Sequence, residues 1–213
     1  MKSIAFNTED VTAILAGRKT ATCRPIRNIP DSTYNIEYDA LQGMWIADYG
    51  LRNKGTMLEL FTKIKPPRYQ QDDIIFVKET YAIGRVDAGE LPDGRAEWFI
   101  SQCPGEDDII PKEWAISQGI GIEDVTWRPA VNMPLKAARI FLRVNNVYPL
   151  YLRDLRRVQI KRMGYKTIEE LTEAWDKNLS KKDKWLYRWE KGPWVWVYEF
   201  ERVEKPKEAL WQQ

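Results

Sequence analysis

Ala13-Ile14-Leu15-Ala16-Gly17-Arg18-Lys19-Thr20-Ala21-Thr22-Cys23-Arg24 reads as the end of a helix running into a strand. Upstream, Ser3 to Asn7 is expected as a short strand and Thr8 as the helix N-cap. Glu9 and Asp10 then fall in the first turn, where the helix dipole favours anions. Val11, Ile14 and Leu15 share one face, and Gly17 supplies the stop. Thr20 to Cys23 should be extended, because Pro25 disfavours a helical Arg24. On an extended stretch alternate residues share a face, so Thr20, Thr22 and Arg24 point one way. Three cations (Arg18, Lys19, Arg24) and two hydroxyls (Thr20, Thr22) thus lie close together, a group able to hold phosphate or the polar edge of a base. A solvated basic turn capping the helix is the other reading these residues allow. The segment is not a P-loop: the upstream glycine is missing, Arg18 interrupts the Gly-Lys pair, and a helix precedes rather than follows.

Working outward, residues 28–56 are polar and turn-rich, with one strand expected at 44–49. A strand is expected at 57–65, and Ile74-Ile75-Phe76-Val77 is a short apolar run typical of a buried strand. Residues 84–126 are read as an acidic insertion punctuated by Gly and Pro, with a hairpin strand at 96–100 and a short helix near 111–118. A strand at 138–147 is followed by an expected helix over 150–163. A second helix starts at Thr167, three residues before Glu170 as in a capping box. The alternation of Trp194, Trp196, Tyr198 and Phe200 with Val195, Val197, Glu199 and Glu201 predicts a last strand. These elements do not alternate as βαβ units. They predict an α+β fold, a curled mixed sheet or small barrel with helices at its ends. One domain is expected over 1–205, with insertions at about 28–56 and 84–126 and a mobile tail at 206–213.

Composition narrows the chemistry. The 213 residues include no histidine, which removes Ser-His-Asp and Cys-His nucleophile systems and any His-ligated zinc. Proton transfer is left to Lys, Asp, Glu, Tyr, Cys or water. Cys23 and Cys103 are read as free thiols without metal-ligand spacing, and no metal or cofactor is expected. No apolar run or leader pattern points to a membrane, so a cytoplasmic protein without a membrane partner is expected. Net charge is +2, but nine basic residues stand against Asp154 alone between Lys136 and Lys166, and ten acidic residues against Arg95 and Lys112 between Asp87 and Asp124. That asymmetry suits a polyanion on the basic side, or a mixed solvated surface. The ten tryptophans should be mostly core, with one or two able to stack on a base.

The segment 13–24 resembles the opening signature of the ASCH domain family, a branch of the PUA-like β-barrel superfamily. The wider chain is similar to the long ASCH proteins of phages and prophages. Asp73-Ile74-Ile75-Phe76-Val77-Lys78-Glu79-Thr80-Tyr81 resembles that family's strand ending in Glu-Thr-Trp. Trp127-Arg128-Pro129-Ala130-Val131-Asn132-Met133-Pro134, then Ala138-Arg139-Ile140, resembles its Trp-Arg-Pro stretch, and residues 150–175 resemble its helical pair. The resemblance implies a PUA-like barrel and a role with RNA or modified bases. One bacterial ASCH branch is an amidohydrolase that deacetylates N4-acetylcytidine with a Lys, a Thr and a Glu. Its Lys and Thr correspond to Lys19 and Thr22, whereas Met163 stands where its Glu is expected, and methionine carries no proton.

The residues support three expectations. The first is a module binding RNA, single-stranded nucleic acid or a modified nucleoside. Its ligand would lie among Arg18, Lys19, Thr20, Thr22, Arg24, Glu79, Trp127 and Arg139. Arg153, Arg156, Arg157 and Lys161 would follow a phosphate backbone, and Trp127 or Tyr81 would stack on a base. The second is an amidohydrolase with Lys19 as base, Thr22 as nucleophile and Glu79 as acid. An ion pair from Glu79 to Lys78, Arg139 or Arg24 is the structural alternative. The third is a phage accessory protein binding another protein through its acidic insertion.

Overall fold

The computed structural model describes residues 1–53, 55–85, 97–101, 110–111 and 127–206. The expected helix near 111–118, the thiol of Cys103, most of the acidic insertion and the tail beyond 206 lie outside them. The fold is α+β, with more strand than helix. The chain divides into two compact units: Met1–Thr20, Asp72–Asn145 and Phe200–Gln213 form the first, Ala21–Gln71 and Asn146–Glu199 the second.

In the first unit β1 (Lys2–Ala5) runs parallel to β6 (Ile74–Lys78), with Ile4 opposite Val77. The start of β11 (Phe141–Tyr151) pairs antiparallel with β6, Phe141 opposite Phe76. Ile75, Phe76 and Val77 are all buried, so both faces of β6 are covered, as its lack of alternation demands. Helix α1 (Thr8–Leu15) buries Val11, Ala13 and Ile14. Its N-cap is Asn7, not Thr8: Asn7 Oδ1 accepts the Asp10 amide at 2.7 Å. Asn and Thr both serve as caps, and the extended backbone of Asn7 decides between them. Strands β7 (Tyr81–Arg85) and β8 (Glu97–Ser101) are antiparallel, flanked by β9 (Ile110–Pro111) on β8 and β10 (Trp127–Arg128) on β7. The expected strand at 138–147 begins three residues late, at Phe141, because a 3-10 turn at Leu135–Ala137 holds the preceding chain.

In the second unit, residues 28–56 are far more regular than expected. Strands β3 (Thr33–Asp39), β4 (Met44–Asn53) and β5 (Thr56–Lys63) make an antiparallel meander. Its first turn is built by Asp39, whose carboxylate accepts the amides of Leu41 and Gln42, and by Gly43 at φ +64°. Polar residues hide β3 in the sequence because most of that strand is not buried. Strand β2 (Ala21–Pro25) pairs antiparallel with β12 (Trp194–Val203), Val197 opposite Cys23 and Tyr198 opposite Thr22.

The expected helix over 150–163 is mostly something else. Strand β11 continues to Tyr151, a 3-10 turn covers Leu152–Asp154, and only Arg157–Arg162 is α-helical (α2). The β-favouring residues Val147, Tyr148 and Tyr151 keep the chain extended across Pro149 until Leu152 turns inward. Helix α3 (Ile168–Asn178) starts where expected, with Thr167 Oγ1 accepting the Glu170 amide at 3.3 Å, and α4 (Lys181–Tyr187) follows. The core gathers Ala21, Cys23, Val195 and Val197 from one face of the β2–β12 ladder against Leu152, Leu155, Ile160, Met163, Leu171 and Trp175. The strands are ordered β1-β6-β11-β12-β2, β10-β7-β8-β9 and β3-β4-β5, and none of these sheets closes on itself among the described residues.

Burial separates two nearby positions sharply. Leu152 is 0% exposed and Val158 is 61% exposed. Leu152→Ala should cost about 2–5 kcal/mol in urea unfolding through lost burial and an unfilled cavity. Val158→Ala should stay within about 0.5 kcal/mol.

Candidate functional site

Gly17 sits at φ +68°, a conformation that favours glycine, and turns the chain back over the end of α1. The amides of Arg18 and Lys19 then both donate to the Ala13 carbonyl, at 2.8 and 3.0 Å. This turn leaves Arg18 exposed and buries Lys19, which is 4% exposed. The Lys19 ammonium pairs with Asp10 Oδ1 at 3.1 Å and lies 5.7 Å from the centre of the Phe6 ring. Thr20 is half-buried, its carbonyl accepting the Phe200 amide.

Also in the first unit, Glu79 follows β6 directly and is 2% exposed. Arg139 donates from Nε to Glu79 Oε1 at 2.8 Å and from Nη2 to Oε2 at 3.0 Å. Ser101 donates its hydroxyl to Oε2 at 2.6 Å and accepts from Arg139 Nη2 at 2.9 Å. Of the ion-pair partners considered for Glu79, Arg139 is the one found. The stretch after β10 lies against these residues: Lys78 donates to the Val131 carbonyl, Tyr81 donates to that of Asn132, and the Glu79 amide meets Met133 Sδ. Trp127 is half-buried on β10, opposite Ala82.

In the second unit, Thr22 and Arg24 do share a face, as alternation requires. Arg24 Nη1 donates to Thr22 Oγ1 at 2.8 Å and to the Cys23 carbonyl at 2.9 Å. The ladder sets Tyr198 opposite Thr22 and Trp196 opposite Arg24, so these four side chains occupy one face. Trp196 meets Trp45 edge-on at 4.6 Å, and Tyr198 meets Tyr69 edge-on at 5.2 Å. Tyr198 is 2% exposed, and its hydroxyl accepts the Arg68 amide at 3.2 Å. Burial pushes the Tyr198 phenol up to about 12, against smaller opposing effects of the Arg68 amide and the Arg24 charge. Burial likewise raises Tyr69, while Arg68 and Arg24 pull it down. The hydroxyls of Thr22 and Tyr198 both accept from protein N–H groups. Among the described residues neither has an acceptor for its own hydrogen.

Arg156, Arg157 and Lys161 are exposed and have no ion-pair partner among the described residues. Arg153 instead donates to the Glu190 carbonyl. Met163 is 1% exposed inside the apolar core, and Cys23 points its thiol at the Met163 sulfur, 3.8 Å away. Thus Thr22 and Arg24 lie in the second unit, whereas Lys19, Glu79 and Arg139 lie in the first. Sequence alone does not single out Tyr198, Tyr69, Arg68 or Ser101 as site residues. The alternation of β12 offers a signal for Tyr198, but its register against β2 cannot be read locally.

No family model matches the chain, and no curated protein matches it. A solved structure, protein EF3133 from Enterococcus faecalis V583, described as DUF984, aligns with 97% of this chain and 83% of its own at 9% identity and TM-score 0.42.

Two measurements test this geometry. Glu79→Ala leaves the Arg139 guanidinium buried without its carboxylate and should destabilise the protein by about 3–5 kcal/mol. For Tyr198, the folded form keeps its proton up to about pH 12, whereas the unfolded chain loses it near 10. Unfolding then releases a proton between these values, so stability falls as pH rises through that window and is unaffected below it. Wild type should lose about 2 kcal/mol more than Tyr198→Phe between pH 10 and 12.

Proposed function

We propose that this chain is a binding module for nucleic acid or a modified nucleoside, of the ASCH type with a PUA-like fold, acting in the cytoplasm of a phage- or prophage-bearing cell. The observation that carries the reading is the pair of buried hydroxyls, Thr22 and Tyr198, opposite each other on β2 and β12. Both hydrogens remain available to an acceptor, and buried polar groups seek one. A base carbonyl or a phosphate oxygen supplies such lone pairs. The guanidinium of Arg24 adds positive charge, and Trp45 with Trp196 adds aromatic surface close by. Exposed Arg156, Arg157 and Lys161 suit a phosphate backbone.

Binding is favoured over hydrolysis of N4-acetylcytidine by the state of the acid. Both oxygens of Glu79 are occupied by Arg139 and Ser101, and the Met163 position is an apolar core site. A general acid must have an oxygen within hydrogen-bond reach of a leaving group, and both Glu79 oxygens are already held by Arg139 and Ser101.

The test is titration of labelled RNA, single-stranded DNA and N4-acetylcytidine into the protein at low salt. Thr22→Val and Tyr198→Phe should each weaken the bound ligand by about 2- to 10-fold, and Arg24→Gln by about 10- to 100-fold. Affinity for a polynucleotide should also fall steeply with salt. Absence of binding to all three ligands overturns the reading. Release of acetate and cytidine that Lys19→Ala abolishes would instead establish the hydrolase.

A further inference from the structure

We infer that the surface of α4 around Trp185 is a stacking platform for single-stranded nucleic acid. The inference rests on the nucleic-acid reading above but concerns different residues. Other tryptophans of the second unit have protein partners. Trp175 donates to the Tyr187 carbonyl, Trp194 to that of Thr33, Trp196 packs on Trp45, and Trp189 lies against the apolar core. Trp185 is 78% exposed, and its ring contact among the described residues is with the Lys191 ammonium, 5.8 Å from the ring centre. Leu186 beside it is 54% exposed.

The charges around the ring select the partner. Lys181 and Lys182 precede Trp185 by four and three residues, so helical spacing puts both beside it, with Lys184 adjacent in sequence. All three are exposed and have no ion-pair partner among the described residues. The nearby acids are already engaged: Asp183 accepts both Nη groups of Arg27, at 2.9 and 2.8 Å, and Glu190 lies 3.8 Å from Arg188. An aromatic face among exposed ammonium groups complements a chain of phosphates with unstacked bases. Duplex DNA offers the phosphates but keeps its bases stacked. A membrane surface requires a wider apolar face than Trp185 and Leu186 provide.

Anisotropy of fluorescein-labelled oligouridylate and oligothymidylate, titrated with the full chain, tests the platform. Trp185→Ala should weaken binding by about 5- to 100-fold, and Trp185→Phe should retain most of it. Lys182→Gln with Lys184→Gln should reduce the salt slope by about 1.4, or about 0.7 for each lost phosphate contact. Thermal unfolding of these surface variants should match wild type. Wild-type binding that Trp185→Ala leaves unchanged overturns the platform and spares the functional reading. Failure of wild type to bind either oligonucleotide overturns the platform; titration of N4-acetylcytidine then decides the functional reading separately. Binding to anionic phosphatidylserine vesicles that needs Trp185, without oligonucleotide binding, overturns it in favour of a lipid surface.

Discussion

In the ladder between β2 and β12, Val197 stands opposite Cys23 and Tyr198 opposite Thr22. Because side chains alternate, this register sends Ala21, Cys23, Val195 and Val197 to the core and leaves Thr22, Arg24, Trp196 and Tyr198 on the other face. A slip of β2 by one residue would turn Thr22 and Arg24 toward the leucines of the core and send Ala21 and Cys23 to the other face. The apolar face therefore holds the register that the candidate site needs.

The first unit shows a different use of burial. Glu79 and Arg139 are each almost fully enclosed, and Ser101 completes the hydrogen bonding of the carboxylate. Such a pair adds little net stability over an apolar replacement, yet losing either partner is costly. Its geometric effect is to tie the residue after β6 to the segment entering β11. The Trp-Arg-Pro stretch then reaches the same place through Lys78 and Tyr81. Sequence motifs far apart in the chain converge here on packing.

Legibility from sequence follows the range of the interactions. Helix α1, strand β6 and the start of α3 are readable because local rules govern them: a stop glycine, an unbroken apolar run, a Thr-to-Glu cap. The region 150–163 misleads because its apolar spacing suits a helix while the strand extends through Tyr151. Strand β3 escapes notice because its polar residues carry no apolar alternation. Within the site, Thr22 and Arg24 are legible from two-residue spacing. Tyr198 is not, since its place opposite Thr22 depends on which strands pair. Trp185 cannot be separated from the other tryptophans until burial is known.

Lys19 and Thr22 match two groups of the expected hydrolase, and their own contacts bear on that role. Lys19 is buried with Asp10 as its ion-pair partner, an arrangement that uses the ammonium form. A general base must begin without that proton, so the pairing works against the role. Thr22 in turn accepts a hydrogen bond from Arg24, which withdraws electron density from the oxygen a nucleophile would use. Both arrangements oppose hydrolysis, whereas the proposed binding role asks of Thr22 only a donating hydroxyl and of Arg24 only its charge.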